Sequence, residues 1–142
     1  MFMGEYNHTI DAKGRVIIPT KLRDGLGDSF VISKGLDGCL YIYENSEWES
    51  FEEKLSSLPM TNAKVRSFVR FFTGGADSVE VDKQGRILIP QSLRKHAELE
   101  KDVVFLGVGR KIELWGREKL DSLEGTDMDE IAGTLDELGI RI

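Results

Sequence analysis

Two aspartates, each followed four residues later by an arginine, are the residues of this sequence best placed to do chemistry: Asp11 with Arg15, and Asp82 with Arg86. They lie in D-A-K-G-R-V-I-I-P (residues 11–19) and D-K-Q-G-R-I-L-I-P (residues 82–90), 71 residues apart. Asp, Gly, Arg, Ile and Pro recur in register, and Leu22/Leu93 and Arg23/Arg94 keep the same offset. A nine-residue pattern repeated this closely marks an internal duplication. Asp favours the start of a turn because its carboxylate accepts backbone amides further on, and Gly supplies the positive φ that closes it. Each stretch therefore predicts a hairpin with an arginine just past its tip. Alone, D-x-x-G-R is a weak signal of an Arg–Asp pair bracing a turn. In duplicate, with both arginines kept while the residues between drift, it points to arginines presented to a partner.

The elements that must position these turns recur as well. Residues 1–9 carry Phe2, Tyr6 and Thr9 and predict a strand, with residues 15–18 as its return. Pro19 stops the return strand and can open a short helix containing Leu22 and Arg23, ended by Gly25 or Gly27. Strands are expected at 30–33 and 39–43 around a glycine turn at 35–38. The second copy repeats this order, with strands at 79–81, 87–89, 103–106 and 112–115, and a short helix holding Leu93 and Arg94. A unit of some forty residues with so many strands buries little apolar surface alone. Two copies interlocked into one small barrel solve that problem, so the expected class is mainly β with helices (α+β). After the first copy, a capping box of Ser46 and Glu49 predicts a helix with Trp48, Phe51 and Leu55 on one face. Thr61 or Asn62 then caps a basic helix (Lys64, Arg66, Arg70) whose apolar face is Val65, Phe68, Val69 and Phe72. After the second copy, residues 117–123 repeat the first of these helices through Leu120 and Leu123. Residues 126–138 predict a final acidic helix through Met128, Ile131, Leu135 and Leu138.

Composition narrows the function. Apolar content of 40% and charged content of 31% suit a soluble globular protein, and no apolar run approaches a membrane span. With no signal-peptide pattern and the single cysteine Cys39, a reducing cytoplasm is expected. Isolated His8 and His96 give no zinc ligand set, and no cofactor or small-molecule substrate is expected. G-V-G-R-K at 107–111 lacks phosphate-loop spacing and predicts a hairpin turn. Cys39 sits in an alternating strand as a packed side chain. Nothing here assembles acid–base or nucleophilic chemistry, so no enzyme is expected. The net charge of −6 is uneven. Residues 118–142 alone carry −6, whereas residues 11–23 and 82–95 each carry +3. A two-stranded ribbon fits a DNA major groove, where Arg15 and Arg86 can bond bidentately to guanine edges. Lys13 and Lys83 at the tips would meet phosphates. A structural assembly module is the rival reading, with the Arg–Asp pairs only holding subunits together.

Twin D-x-x-G-R motifs followed by an aliphatic run and Pro, with F-F-T-G-G-A at 71–76 and G-E-Y-N-H-T-I-D at 4–11, resemble the MraZ family of bacterial transcriptional regulators. The resemblance spans residues 2–123. It implies two AbrB-like swapped-hairpin modules forming one pseudo-twofold β-barrel: module 1 at 5–47, a helical linker at 48–75, module 2 at 76–119 and an acidic C-terminal helix at 120–142. It further implies a homo-oligomeric ring of about eight subunits, associated with the nucleoid. The implied partner is double-stranded DNA carrying short direct repeats upstream of the division and cell-wall gene cluster. The family's DNA-contact motif falls on Asp11 with Arg15 and on Asp82 with Arg86. An antitoxin-type AbrB-like DNA binder is a further alternative, weakened by the helical tail and the duplication.

Overall fold

The computed structural model describes residues 1–123 and 127–141. The first copy runs β1 (Phe2–Thr9), β2 (Arg15–Ile17), α1 (Thr20–Leu26), β3 (Ser29–Lys34) and β4 (Leu40–Tyr43). Helices α2 (Asn45–Ser56) and α3 (Ala63–Phe72) then lead to the second copy. That copy is β5 (Asp77–Glu80), β6 (Arg86–Leu88), α4 (Gln91–Ala97), β7 (Asp102–Gly109) and β8 (Ile112–Gly116). Helices α5 (Arg117–Asp121) and α6 (Met128–Glu137) follow. The result is a mixed α+β fold with a mostly antiparallel sheet.

Strand pairing crosses between the copies. Six strands lie in the order β1-β7-β8-β4-β3-β5, and β2 pairs with β6 in a separate two-stranded ribbon. Exchanging the copies turns this order into its own reverse. Leu40 stands opposite Leu114 and Ile42 opposite Ile112 where β4 meets β8, and Val16 stands opposite Ile87 at the middle of the ribbon. β1 and β5 end the six-stranded order, and no pairing among the described residues closes it into the expected barrel. β3–β4 and β7–β8 are the hairpins expected from the sequence.

The D-x-x-G-R turns, by contrast, do not join paired strands. β1 lies antiparallel to β7 while β2 lies against β6, so each turn carries the chain from the sheet to the ribbon. The Ile10 N–H donates to Lys101 C=O (2.8 Å) and steers the end of β1 onto the other copy. Local turn chemistry reverses the chain. Apolar burial against the other copy chooses the partner.

One core explains the alternation. Val16, Ile18, Ile87 and Ile89 from the ribbon, Leu22, Leu26, Leu93 and Ala97 from α1 and α4, and Phe30, Ile32, Leu40, Ile42, Phe105, Ile112 and Leu114 from the sheet form one buried cluster. Burying each of these side chains other than Ala97 contributes about 1.5–3 kcal/mol. β3 is apolar on both faces because its outer face is also covered. There α2 and α3 bring Trp48, Phe51 and Phe72 around Tyr43 and Tyr41, with ring centroids 5.3–6.3 Å apart. Cys39, Val104 and Trp115 make a second cluster with Leu120 of α5.

Helix boundaries differ from expectation in three places. α2 opens at Asn45 with Glu44 at its N-cap, and the Ser46 hydroxyl donates to the Glu44 carboxylate (2.9 Å), so no capping box forms. Pro19 and Pro90 occupy the N-caps of α1 and α4 rather than their first turns. α5 stops at Asp121 and leaves Leu123 exposed. Asn62 does cap α3, its side chain accepting from Lys64 N–H (2.8 Å). Thr126, the expected start of the last helix, lies outside the described residues. α6 exposes Met128 and Ile131, and Leu138 at its C-cap is exposed as well. No helix of the described residues is long and apolar enough to cross a membrane.

Candidate nucleic-acid interface

Each turn is built around its aspartate. Asp11 Oδ1 accepts the backbone N–H groups of Lys13 (3.0 Å) and Arg15 (2.9 Å), and Oδ2 accepts Arg15 Nε–H (3.1 Å). Asp82 does the same with Gln84 N–H (2.9 Å), Arg86 N–H (2.9 Å) and Arg86 Nε–H (3.0 Å). Gly14 and Gly85 donate back to the aspartate carbonyls at 3.0 Å and hold φ of 90° and 79°, values glycine adopts without a Cβ penalty. The two turns are also clasped to each other's copy. Ile18 N–H donates to Gly85 C=O (3.0 Å), and Ile89 N–H donates to Gly14 C=O (2.8 Å). The aspartates therefore brace the turns and aim the arginines through Nε.

These bonds stabilise the ionised carboxylate. The Arg15 backbone N–H foremost, with the Arg15 guanidinium and Lys13 N–H, holds Asp11 below the ordinary value of 3.8. The Arg86 N–H leads the same effect at Asp82. A carboxyl with a lowered folded pKa contributes stability that is fully present above the unfolded value, and that stability is lost as pH falls through the folded value. Carbonyl-detected NMR titration should find both side chains ionising below 3.8. A midpoint at or above it for either residue would show that the brace does not persist in solution.

The ribbon gathers the arginines. Register places Arg15 opposite Leu88 and Ile17 opposite Arg86, so the two arginines are diagonal neighbours across the buried Val16–Ile87 pair. Such diagonals are about 7–8 Å apart. Strand alternation puts Arg15, Ile17, Arg86 and Leu88 on the face opposite the core. Lys13 and Lys83 are exposed but not equivalent: Lys13 is third in its turn and Lys83 second in its own. Each turn also receives an arginine from the other copy. A Cβ placed on Gly14 would lie 2.6 Å from Arg94 Nε, which donates to Ile89 C=O (2.9 Å). Arg23 Nη1 lies 3.5 Å from the equivalent point at Gly85, and its Nη2 pairs with Asp28 (3.6 Å). Their shared 71-residue offset was the sequence signal for these two; their crossing to the opposite turn had none.

The other candidates resolve as packing. The Cys39 thiol is buried against Leu36 C=O (3.3 Å), and burial pushes it up to about 12. Residues 107–111 form the tip of the β7–β8 hairpin, closed by Val108 N–H to Lys111 C=O (3.0 Å). In the basic helix α3, Arg66 donates to Met60 and Thr61 carbonyls (3.0 and 3.1 Å).

Comparison with known proteins adds the lineage. A family model described as "MraZ protein, putative antitoxin-like" matches residues 1–71 and again residues 72–134. The chain belongs to the MraZ family. Its relatives include a transcriptional regulator MraZ from Lachnoclostridium phytofermentans, 56% identical over 140 residues and covering 99% of both chains. Another, from Clostridium tetani, is 54% identical over 142 residues, covering 99% of this chain and 100% of the relative. A third, from Thermoanaerobacter pseudethanolicus, is 55% identical over 143 residues with 99% and 100% covered. The MraZ match divides this chain at the same interval as the 71-residue offset, so each matched unit holds one Asp–Arg pair.

Proposed function

We propose that this member of the MraZ family is a sequence-specific DNA-binding transcriptional regulator. The observation that carries the reading is the placement of Arg15 and Arg86, each held through Nε by its own aspartate, as diagonal neighbours on the outward face of one ribbon. The names of its relatives support it. Arg15 and Arg86 contact base edges; Lys13 and Lys83 contact phosphates; Asp11 and Asp82 fix the turns. The functional unit is a pair of AbrB-like modules, 5–47 and 76–119, related by a pseudo-twofold axis through the Val16–Ile87 pair. The palindromic strand order supports that symmetry. The helical segment 48–75 links the two modules, and the acidic stretch 118–142, net −6, keeps the rest of the assembly from holding DNA non-specifically.

A few cations per module give modest, salt-sensitive affinity. A homo-oligomeric ring of about eight subunits would engage several short direct repeats at once and raise the effective local concentration. Phe68 of α3 and Met60 before it, 41% and 48% exposed, support burial against another copy. The target is the region upstream of the division and cell-wall gene cluster, and the working location is the cytoplasm at the nucleoid. A gel-shift titration on the DNA upstream of the protein's own gene, against a scrambled duplex of equal length, tests this. The expected result is selective retardation whose affinity falls steeply between 50 and 200 mM salt, a range over which about 6–10 phosphate contacts lose roughly 10³–10⁵-fold. Equal binding to both duplexes, or none, would leave a structural assembly module as the better account.

A further inference from the structure

The face that carries Arg15 and Arg86 also carries two large aliphatic side chains that the fold does not use. Ile17 is 49% exposed and Leu88 is 56% exposed, although their neighbours Val16 and Ile87 are each only 1% exposed. A single exposed aliphatic residue is ordinary on a protein surface. These two are related by the 71-residue offset, stand on one ribbon and alternate with the arginines: Leu88 opposite Arg15, Ile17 opposite Arg86. Elsewhere on the turns the exposed residues drift between copies, Ala12 against Lys83 and Lys13 against Gln84. A strand position needs only β propensity, which Thr satisfies with a polar side chain. Here both copies place bare hydrocarbon between two guanidiniums.

The geometry points to a thymine-methyl contact: Ile17 and Leu88 rest against the C5-methyl groups of thymines in the major groove while Arg15 and Arg86 bond the neighbouring base edges. The inference rests on the DNA-binding reading above and extends it to a specificity element. The occupant follows from the surroundings. The stretches 11–23 and 82–95 are each net positive, which favours a polyanion over an acid-poor protein surface. A two-stranded ribbon is the strand unit that the major groove admits, and the thymine methyl is the only apolar group on a base-pair edge there. Two aliphatic contacts flanked by two bidentate donors add a preference for T at base pairs that the arginines do not themselves bond.

The test removes the methyl without touching any hydrogen-bonding group. A duplex enriched from a random-sequence pool by repeated binding to the full-length protein serves as the probe, with each thymine replaced in turn by deoxyuridine. At one or two positions per engaged module, replacement should weaken binding by about fourfold, the value of one buried methylene-sized group. In Ile17→Ser and Leu88→Ser the same replacements should change affinity less than twofold, with oligomer size by sedimentation unchanged. If the serine variants lose affinity on deoxyuridine replacement as much as the parent does, the methyl acts through duplex shape and the inference fails while DNA recognition stands. No deoxyuridine effect in the parent, or an enriched site without thymine, likewise overturns it. A changed oligomer size in the serine variants assigns the patch to a second copy of the chain instead. Failure of the pool to enrich any sequence removes the DNA reading itself, and this inference with it.

Discussion

Alanine at Arg15 should weaken binding to the cognate duplex by about 1–3 kcal/mol, or roughly 5–150-fold, and alanine at Arg86 by a similar amount. The loss should appear with the fold intact, for a structural reason. Removing the Arg15 side chain deletes only one of the three bonds at the Asp11 carboxylate, and the two backbone donors, Lys13 and Arg15 N–H, still hold the turn. The same holds at Asp82. The arginines are diagonal neighbours, so the double variant should depart from the sum of the single effects. Lysine at either position keeps the charge but loses the planar fork, so it should retain binding to random duplex and lose preference for the cognate one. Fluorescence-anisotropy titrations on both duplexes, with sedimentation of each variant, check this. If the alanine variants dissociate the oligomer and lose DNA only in consequence, the Arg–Asp pairs are assembly contacts.

Much of this architecture was legible in the sequence because it depends on local chemistry. D-x-x-G-R specifies its turn through bonds spanning at most four residues, so both turns, both φ > 0 glycines and the bracing role of the aspartates follow from residue types alone. The choice of partner strand was not legible. β1 and β2 look like the arms of a hairpin because they flank a turn, yet β1 pairs with β7 and β2 with β6, both from the other copy. That preference belongs to the whole core and leaves no trace in a nine-residue window. Barrel closure was inferred from the same small-unit argument and is not seen in the pairing of the described residues. Ser46–Glu49 has the spacing of a capping box, but Glu44 captures the Ser46 hydroxyl one residue outside α2. The exposure of Ile17 and Leu88 was hidden because a β-rich apolar run reads as core until its register is known.

The crossed pairing makes stability and site inseparable, and Phe105→Ala should expose this. Phe105 is fully buried in β7 and belongs to a cluster fed by both copies, with Phe30 and Ile32 from one and Ile112 and Leu114 from the other. Truncating such a side chain costs about 3–5 kcal/mol, transfer and cavity together, against a typical total of 5–15 kcal/mol. The loss should fall on both halves of the chain at once. Trp48 packs on Tyr43 and Phe51 beside the first copy, and Trp115 is buried in the second cluster. Variants with Trp48→Phe or Trp115→Phe leave one reporter each, and their urea midpoints should coincide in the parent and shift down together with Phe105→Ala. A lower midpoint for one reporter would mean that one copy stands without the other. The ribbon argues against that outcome. Val16 and Ile87 can be buried as a pair only when β2 and β6 meet, and each turn is tied by a carbonyl of the other, Gly14 to Ile89 and Gly85 to Ile18. A chain whose copies come apart therefore loses the surface on which Arg15 and Arg86 stand, and DNA affinity in Phe105→Ala should fall in step with the folded fraction rather than ahead of it.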